Sequence, residues 1–198
     1  MDTASNMGYF TLIVALVALA VVLFVLVAVG VWLWNVYNRL IRLRNQVTTA
    51  WSQVETELER RLDMIPNLVA TVKGYASHER ETLEAVINAR AAAISARTPD
   101  ASLQSQDMIS AALGRLFALS ERYPELKADS TFLQLQSEIS QTENRINFGR
   151  KVYNETVLIY NTAQQVFPAN LIAGRFKHEA STSFKSSETA ARPPEVEF

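Results

Sequence analysis

The stretch Phe10–Trp34, FTLIVALVALAVVLFVLVAVGVWLW, decides how this chain is read. It carries no charge, and only Thr11 and Gly30 interrupt the apolar run. As a helix rising 1.5 Å per residue, about 25 residues cover ~37 Å, more than the ~30 Å hydrocarbon core of a bilayer. Tyr9 stands at one end and Trp32 and Trp34 at the other, where amphipathic rings favour the membrane interface. A cleaved signal peptide is the rival reading. Against it stand the lack of Lys or Arg before the run, an apolar stretch too long for a signal core, and no small-residue cleavage site after it. The expectation is a short extracytoplasmic N-terminus over 1–9 and one retained transmembrane helix over 10–34. Asp2 precedes the span, and Arg39, Arg42 and Arg44 follow it closely. Retention of arginines in the cytoplasm predicts the N-terminus outside and the following domain inside.

Outward from the membrane edge, apolar residues recur every three or four positions: Val36, Leu40, Leu43, Val47, Trp51, Val54, Leu58, Leu62, Ile65, Val69, Val72 and Ala76. That is helical spacing. Val36, Val47, Leu58 and Val69 lie eleven apart, a period that favours a nearly straight or slightly right-handed seam. Pro66 falls inside the series. It either starts a second helix, with Asp63 as N-cap, or interrupts one long helix at a cost of about 3 kcal/mol. The apolar phase continues across it from Leu58 to Val69, which favours one helix kinked near Pro66. That helix runs from Asn35 to about Arg97, about 63 residues and ~95 Å. Thr98-Pro99-Asp100 then reads as a turn. A shorter helix is expected over about Leu103–Arg122, with Ile109, Leu113, Leu116 and Leu119 inward and Tyr123-Pro124 closing it.

The last long helix is expected over about Ser130–Phe167. Phe132, Ile139, Ile146, Tyr153, Tyr160 and Phe167 repeat every seven residues. Leu135, Thr142, Gly149, Thr156 and Ala163 hold the second seam position, mostly small or polar. Large residues facing small ones predict close packing onto the first long helix. The bundle domain therefore spans 35–176. Beyond it, 177–198 is rich in Ser, Thr, Lys, Glu and Pro without a period and reads as a flexible tail.

Composition excludes several chemistries. With no cysteine, there is no disulfide, thiolate zinc site or cysteine nucleophile. The net charge of −1 points to no nucleic-acid partner. The two histidines, His78 and His178, form no His-Glu-x-x-His motif, and no phosphate loop or nucleophile elbow occurs. Glu79, Glu81 and Glu84 read as an exposed helical face. No catalytic, metal or cofactor residue is assigned, no cofactor is expected, and the chain is read as a non-enzyme. Attention falls on Arg60-Arg61. Arginine tolerates partial burial against carboxylates, and Glu57, Glu59, Glu138 and Glu143 are the candidate partners. Ion pairs that fix helix register and a docking surface are the two readings. Tyr153 and Tyr160 fit a core or an interface, and Asn154 and Asn161, one past each, suit hydrogen bonds between helices or between subunits.

Taken in order, these residues resemble the LemA family. The resemblance rests on Glu57-Leu58-Glu59-Arg60-Arg61-Leu62-Asp63-Met64-Ile65-Pro66-Asn67-Leu68-Val69, and on Val72-Lys73-Gly74-Tyr75-Ala76 with His78-Glu79. It is carried further by Thr142-Glu143-Asn144-Arg145-Ile146, Tyr153-Asn154, Tyr160-Asn161, Phe167-Pro168 and the terminal Glu195-Val196-Glu197-Phe198. Glu57-Leu58-Glu59 departs from the more usual Gln-Leu-Lys and reverses local charge. The resemblance implies an all-α bacterial inner-membrane protein, with a single N-terminal transmembrane helix and a cytoplasmic antiparallel up-and-down helical bundle. It implies no established enzymatic activity. Members are often associated with zinc-type membrane proteases, and a relative takes part in magnetosome membrane biogenesis. The expected partners are the lipid bilayer, further copies of the chain and a membrane protein such as a zinc metalloprotease. The expected role is a scaffold or adaptor, with a membrane-shaping factor that assembles into rings or filaments as the alternative. Arg60, Arg61, Asp63, Pro66, Asn67, Tyr153, Asn154, Tyr160 and Asn161 are the candidate partner or oligomer contacts.

Overall fold

The structure, a computed structural model, describes residues 2–176 and 179–183, with side chains from Ile13 onward. Among these residues every regular element is a helix: α1 (Asp2–Tyr75), α2 (Arg80–Ser95), α3 (Pro99–Leu119), α4 (Pro124–Ala128), α5 (Ser130–Gln165) and α6 (Ala169–Arg175). The fold is all-α, with one N-terminal helix long and apolar enough to cross a membrane. From Ile13 to Trp34 its side chains are exposed.

The chain divides into two compact units. The first combines Met1–Asn45 with Ile159–Ser181. Its small core joins Leu40 of α1 to Ile172 and Ala173 of α6, flanked by Val36 and Ala163. The second combines Gln46–Leu158 with Thr182–Phe198. Its main core draws Ile65, Leu68 and Val72 from α1 and Leu83, Val86 and Ala89 from α2. Ile109, Leu113 and Leu116 from α3 and Phe132 and Ile139 from α5 complete it.

α1 passes through Pro66 unbroken, as the apolar phase predicts, and Asp63 is not a cap. It does not reach Arg97. It ends at Tyr75, Ala76–Glu79 make the turn, and α2 returns alongside α1 so that Arg90 meets Leu62. The reversal has a packing cause. Leu83, Val86, Ala89 and Ala93 form an apolar face that a straight helix would leave in water, and folding back buries it with Val72 and Ala76. α3 begins at Pro99, earlier than expected. Thr98 caps it by accepting a hydrogen bond from the Ala101 N–H at 3.2 Å, and Pro99 occupies the first turn, where no N–H is needed.

The eleven-residue period is also revised. Most buried positions of α1 step by seven along two rows, Val47, Val54, Arg61 and Leu68, and Leu58, Ile65 and Val72, with Ala50 and Met64 buried beside them. Leu43, Leu62 and Val69 are only half-buried. A charged residue occupies a core row. A seam traced through apolar residues alone passes over Arg61, and that shifted the apparent seam onto Leu62 and lengthened its period.

α5 carries its predicted row inward: Phe132, Ile139, Ile146, Tyr153 and Tyr160 are all buried. Phe167 is not in the row, because the helix stops at Gln165 and Phe167 is exposed. The small second row brings Gly149 against α1. A Cβ added there would lie 3.0 Å from Val54 Cγ2. Gly149→Leu should therefore cost about 1–3 kcal/mol through overpacking. Trimming Val54 to Ala in the same chain should recover part of the loss, as read by urea unfolding in detergent.

Candidate functional site

The candidate residues on α1 split by face. Arg60, Asp63, Pro66 and Asn67 are exposed, whereas Arg61 is buried. The Arg61 guanidinium is 2.6 Å from Glu143 of α5, so Glu143 among the expected carboxylates is its partner. Nη1 also donates to Gln106 Oε1 at 3.3 Å and Ser110 Oγ at 3.1 Å, both on α3. Ser110 Oγ donates in turn to Glu143 Oε2 at 3.1 Å. Three helices thus meet on one buried cation. Burial pulls the Arg61 pKa below its usual value, and Glu143 opposes that pull by charge and hydrogen bond. The other carboxylates go elsewhere: Glu57 lies 3.5 Å from Arg145, and Glu138 accepts from Gln134.

Pro66 has a local consequence. A helical N–H at position 66 would bond the Leu62 carbonyl, and proline has none. Arg90 Nε of α2 donates to Leu62 O at 2.9 Å and fills the gap. The helix α1 survives its proline because a neighbouring helix supplies the missing donor. Beside it lies a cleft of about 470 Å³ lined by Glu59, Asp63, Arg90 and Arg97 among others. Acidic side chains line it from α1, and basic ones from α2 and the segment after it.

The tyrosines and asparagines of α5 serve an internal purpose. In the second unit Tyr153 stacks edge-on to Trp51 with ring centroids 5.7 Å apart, and its hydroxyl donates to Thr182 O at 3.1 Å. Asn154 Oδ1 accepts from Ser183 Oγ at 3.3 Å. In the first unit Asn161 pairs doubly with the Ser181 backbone. It donates to the carbonyl at 2.8 Å and accepts from the N–H at 3.0 Å. Tyr160 is buried. Tyr153, Asn154 and Asn161 thus hold Ser181, Thr182 and Ser183, inside the stretch read as tail, along α5. His178 and the terminal Glu195–Phe198 lie outside the described residues. Asn161→Ala should lose both bonds, each worth about 1 kcal/mol. Hydrogen exchange should show the Ser181 amide losing protection while α5 keeps its own.

Sequence reasoning missed Gln106, Ser110 and Arg90. Gln106 and Ser110 stand four apart on α3, a polar pair beside the apolar face of Ile109 and Leu113, and that pairing was the available signal. Arg90 had none, since its role depends on the turn at Ala76–Glu79. His78 falls in that turn, on exposed chain.

The turn over α4 is pinned at both ends. Tyr123 donates to Glu79 at 3.1 Å and Tyr75 to Asp129 at 3.0 Å. The Phe132 N–H, then the Tyr75 hydroxyl, holds the Asp129 carboxyl below its usual range, and the bond to Asp129 pushes Tyr75 up. Asp129 contributes stability above the ordinary carboxylate pKa and loses it as pH falls through its lowered folded value. Tyr75 contributes fully below the ordinary tyrosine pKa and loses it as pH rises through its raised one. The contribution of this pair to unfolding free energy should be flat between these limbs and fall on both sides. Asp129→Asn should flatten the acid limb in urea titrations across pH.

Among the described residues every element is thus a helix, and one span-length apolar helix continues into a bundle tied by a buried arginine. The sequence profile of the LemA family matches residues 50–198, and the chain belongs to that family. It is also similar to Protein LemA of Metamycoplasma hominis, 29% identical over 175 residues, covering 84% of this chain and 78% of that protein.

Proposed function

We propose that this LemA-family chain is a non-enzymatic membrane scaffold or adaptor that organises further copies of itself or a partner membrane protein, such as a membrane protease. The observation that carries the reading is how the motif divides. Two of its residues are spent on the fold, buried Arg61 on Glu143 and exposed Pro66 through the Leu62 carbonyl that Arg90 satisfies. Arg60, Asp63 and Asn67 remain as an outward polar strip on a rigid helix. A helix held on three sides presents such a strip in fixed geometry, which favours recognition. The exposed apolar residues 13–34 support passage of α1 through the bacterial inner membrane. The exposed Arg39, Arg42 and Arg44 that follow support an outside N-terminus and a cytoplasmic bundle.

Photocrosslinking in cells tests the proposal, with a benzophenone amino acid at Arg60 or Asn67 and at buried Leu68 as control. Adducts to a second copy or to an integral membrane protein, from the exposed positions alone, are expected. Absence of adducts from both exposed positions would overturn the reading.

A further inference from the structure

The first unit exposes apolar side chains well beyond the span-length run. Phe167 is 79% exposed, Leu171 66% and Phe176 59%. All three lie at the turn from α5 into α6, on α6 itself or just past its end. These residues belong to a folded core: Ile172 and Ala173 of the same short helix are buried against Leu40, and the Phe176 ring lies 5.0 Å from that of Tyr37. α6 therefore has one face bound to α1 and another facing away with large apolar groups.

Position along α1 indicates what covers that outer face. A cleft of about 210 Å³ is lined by Trp32, Val36, Arg39 and Leu40 on one side and by Val166, Phe167 and Pro168 on the other. The turn thus sits at the level of the tryptophans that end the apolar run. Trp at that position marks the headgroup boundary. Arg39 and Arg175 flank the apolar tip, both exposed, and suit anionic headgroups. Irregular backbone is excluded from the hydrocarbon centre but is accommodated at the interface. An apolar face with basic flanks is what interfacial segments bury, to a depth of about 5–10 Å.

We infer that the α5–α6 turn and the outer face of α6, through Phe167 and Leu171, insert into the headgroup boundary of the bilayer that α1 crosses. They form a second, shallow membrane contact beside the transmembrane helix. The inference rests on the reading that α1 spans the membrane. It commits this face to lipid rather than to a second copy of the chain.

The absence of cysteine makes site-specific labelling direct. Full-length protein carrying Phe167→Cys, Leu171→Cys, Val22→Cys or Glu84→Cys is labelled with an environment-sensitive nitrobenzoxadiazole dye. It is then reconstituted into phosphatidylethanolamine–phosphatidylglycerol vesicles. Phe167 and Leu171 are already exposed, so their labels do not require the fold to open. The expected result is blue-shifted emission at both sites, strong quenching by a nitroxide on the upper acyl chain, and little quenching by aqueous iodide. Val22 should be quenched by a deep nitroxide and Glu84 by iodide alone. Iodide quenching at Phe167 and Leu171, with Val22 still in lipid, overturns the shallow contact and leaves the anchor standing. Resistance of both sites to lipid nitroxide and iodide alike means that protein covers the face, and it also overturns the proposal. Iodide quenching at Val22 overturns the anchor itself.

Discussion

Glu143→Ala should destabilise the bundle by about 3–5 kcal/mol, more than any substitution on the exposed strip of the motif. The magnitude follows from asymmetry across the pair. The Arg61 side chain is 4% exposed and that of Glu143 35%. Removing Glu143 strands a guanidinium that cannot reach water and whose Nε already lacks a partner. Gln106 and Ser110 would remain as its neutral acceptors, too few to replace a carboxylate. Arg61→Met removes the buried charge instead and leaves a carboxylate with partial access to water, so it should cost less. The double change Arg61→Met with Glu143→Leu should be neutral or stabilising by about 1–4 kcal/mol, because a buried pair replaced by apolar groups no longer bears its desolvation penalty. Urea unfolding of the four chains in detergent, followed by helical circular dichroism, gives the cycle. A loss for Glu143→Ala within ~0.5 kcal/mol, the range of ordinary surface changes, would show that the three-helix node does not bear on stability.

The second large effect concerns Pro66 and Arg90, and the size of the Arg90 effect depends on what stands at position 66. Pro66→Ala restores an N–H to the helix and should stabilise by up to about 3 kcal/mol, less whatever α1 has already relaxed. Arg90→Ala in the natural chain leaves the Leu62 carbonyl without a donor and should cost about 1–3 kcal/mol. In the Pro66→Ala background the same Arg90 change should cost little, because the restored backbone N–H then bonds the Leu62 carbonyl. The two substitutions must couple, although they lie on different helices. Additivity within about 0.5 kcal/mol would mean that Arg90 does not replace the missing backbone bond.

Both cycles rest on a motif that is structural and outward-facing at once. Arg60-Arg61 places the first arginine in solvent and the second in the core, as successive helical positions point about 100° apart. A proline in mid-helix is tolerable where a side chain from another element reaches the freed carbonyl. The stretch 57–69, within the region that matches the family, is thus also where α1, α2, α3 and α5 are tied together. The surface it presents outward is rigid for that reason.

How much of this was legible in the chain varies with the reach of each interaction. The uncharged run over 10–34 makes one span-length helix unavoidable, since no other conformation satisfies its backbone away from water. The seven-residue row from Phe132 to Tyr160 shows its buried face directly. The small residue at Gly149 announced a close approach to α1, and the structure sets it against Val54. These are properties of single segments, and local spacing is enough to read them. The turn at Ala76–Glu79, the burial of Arg61, the rescue of the Leu62 carbonyl by Arg90 and the seating of Ser181 on Asn161 were decided only by tertiary structure. Each is a pairing between residues far apart in sequence, and its free energy exists only once another helix is in place. A charged side chain in particular carries no local sign of its burial. Arg61 is in the core because Glu143, Gln106 and Ser110 arrive there from two other helices.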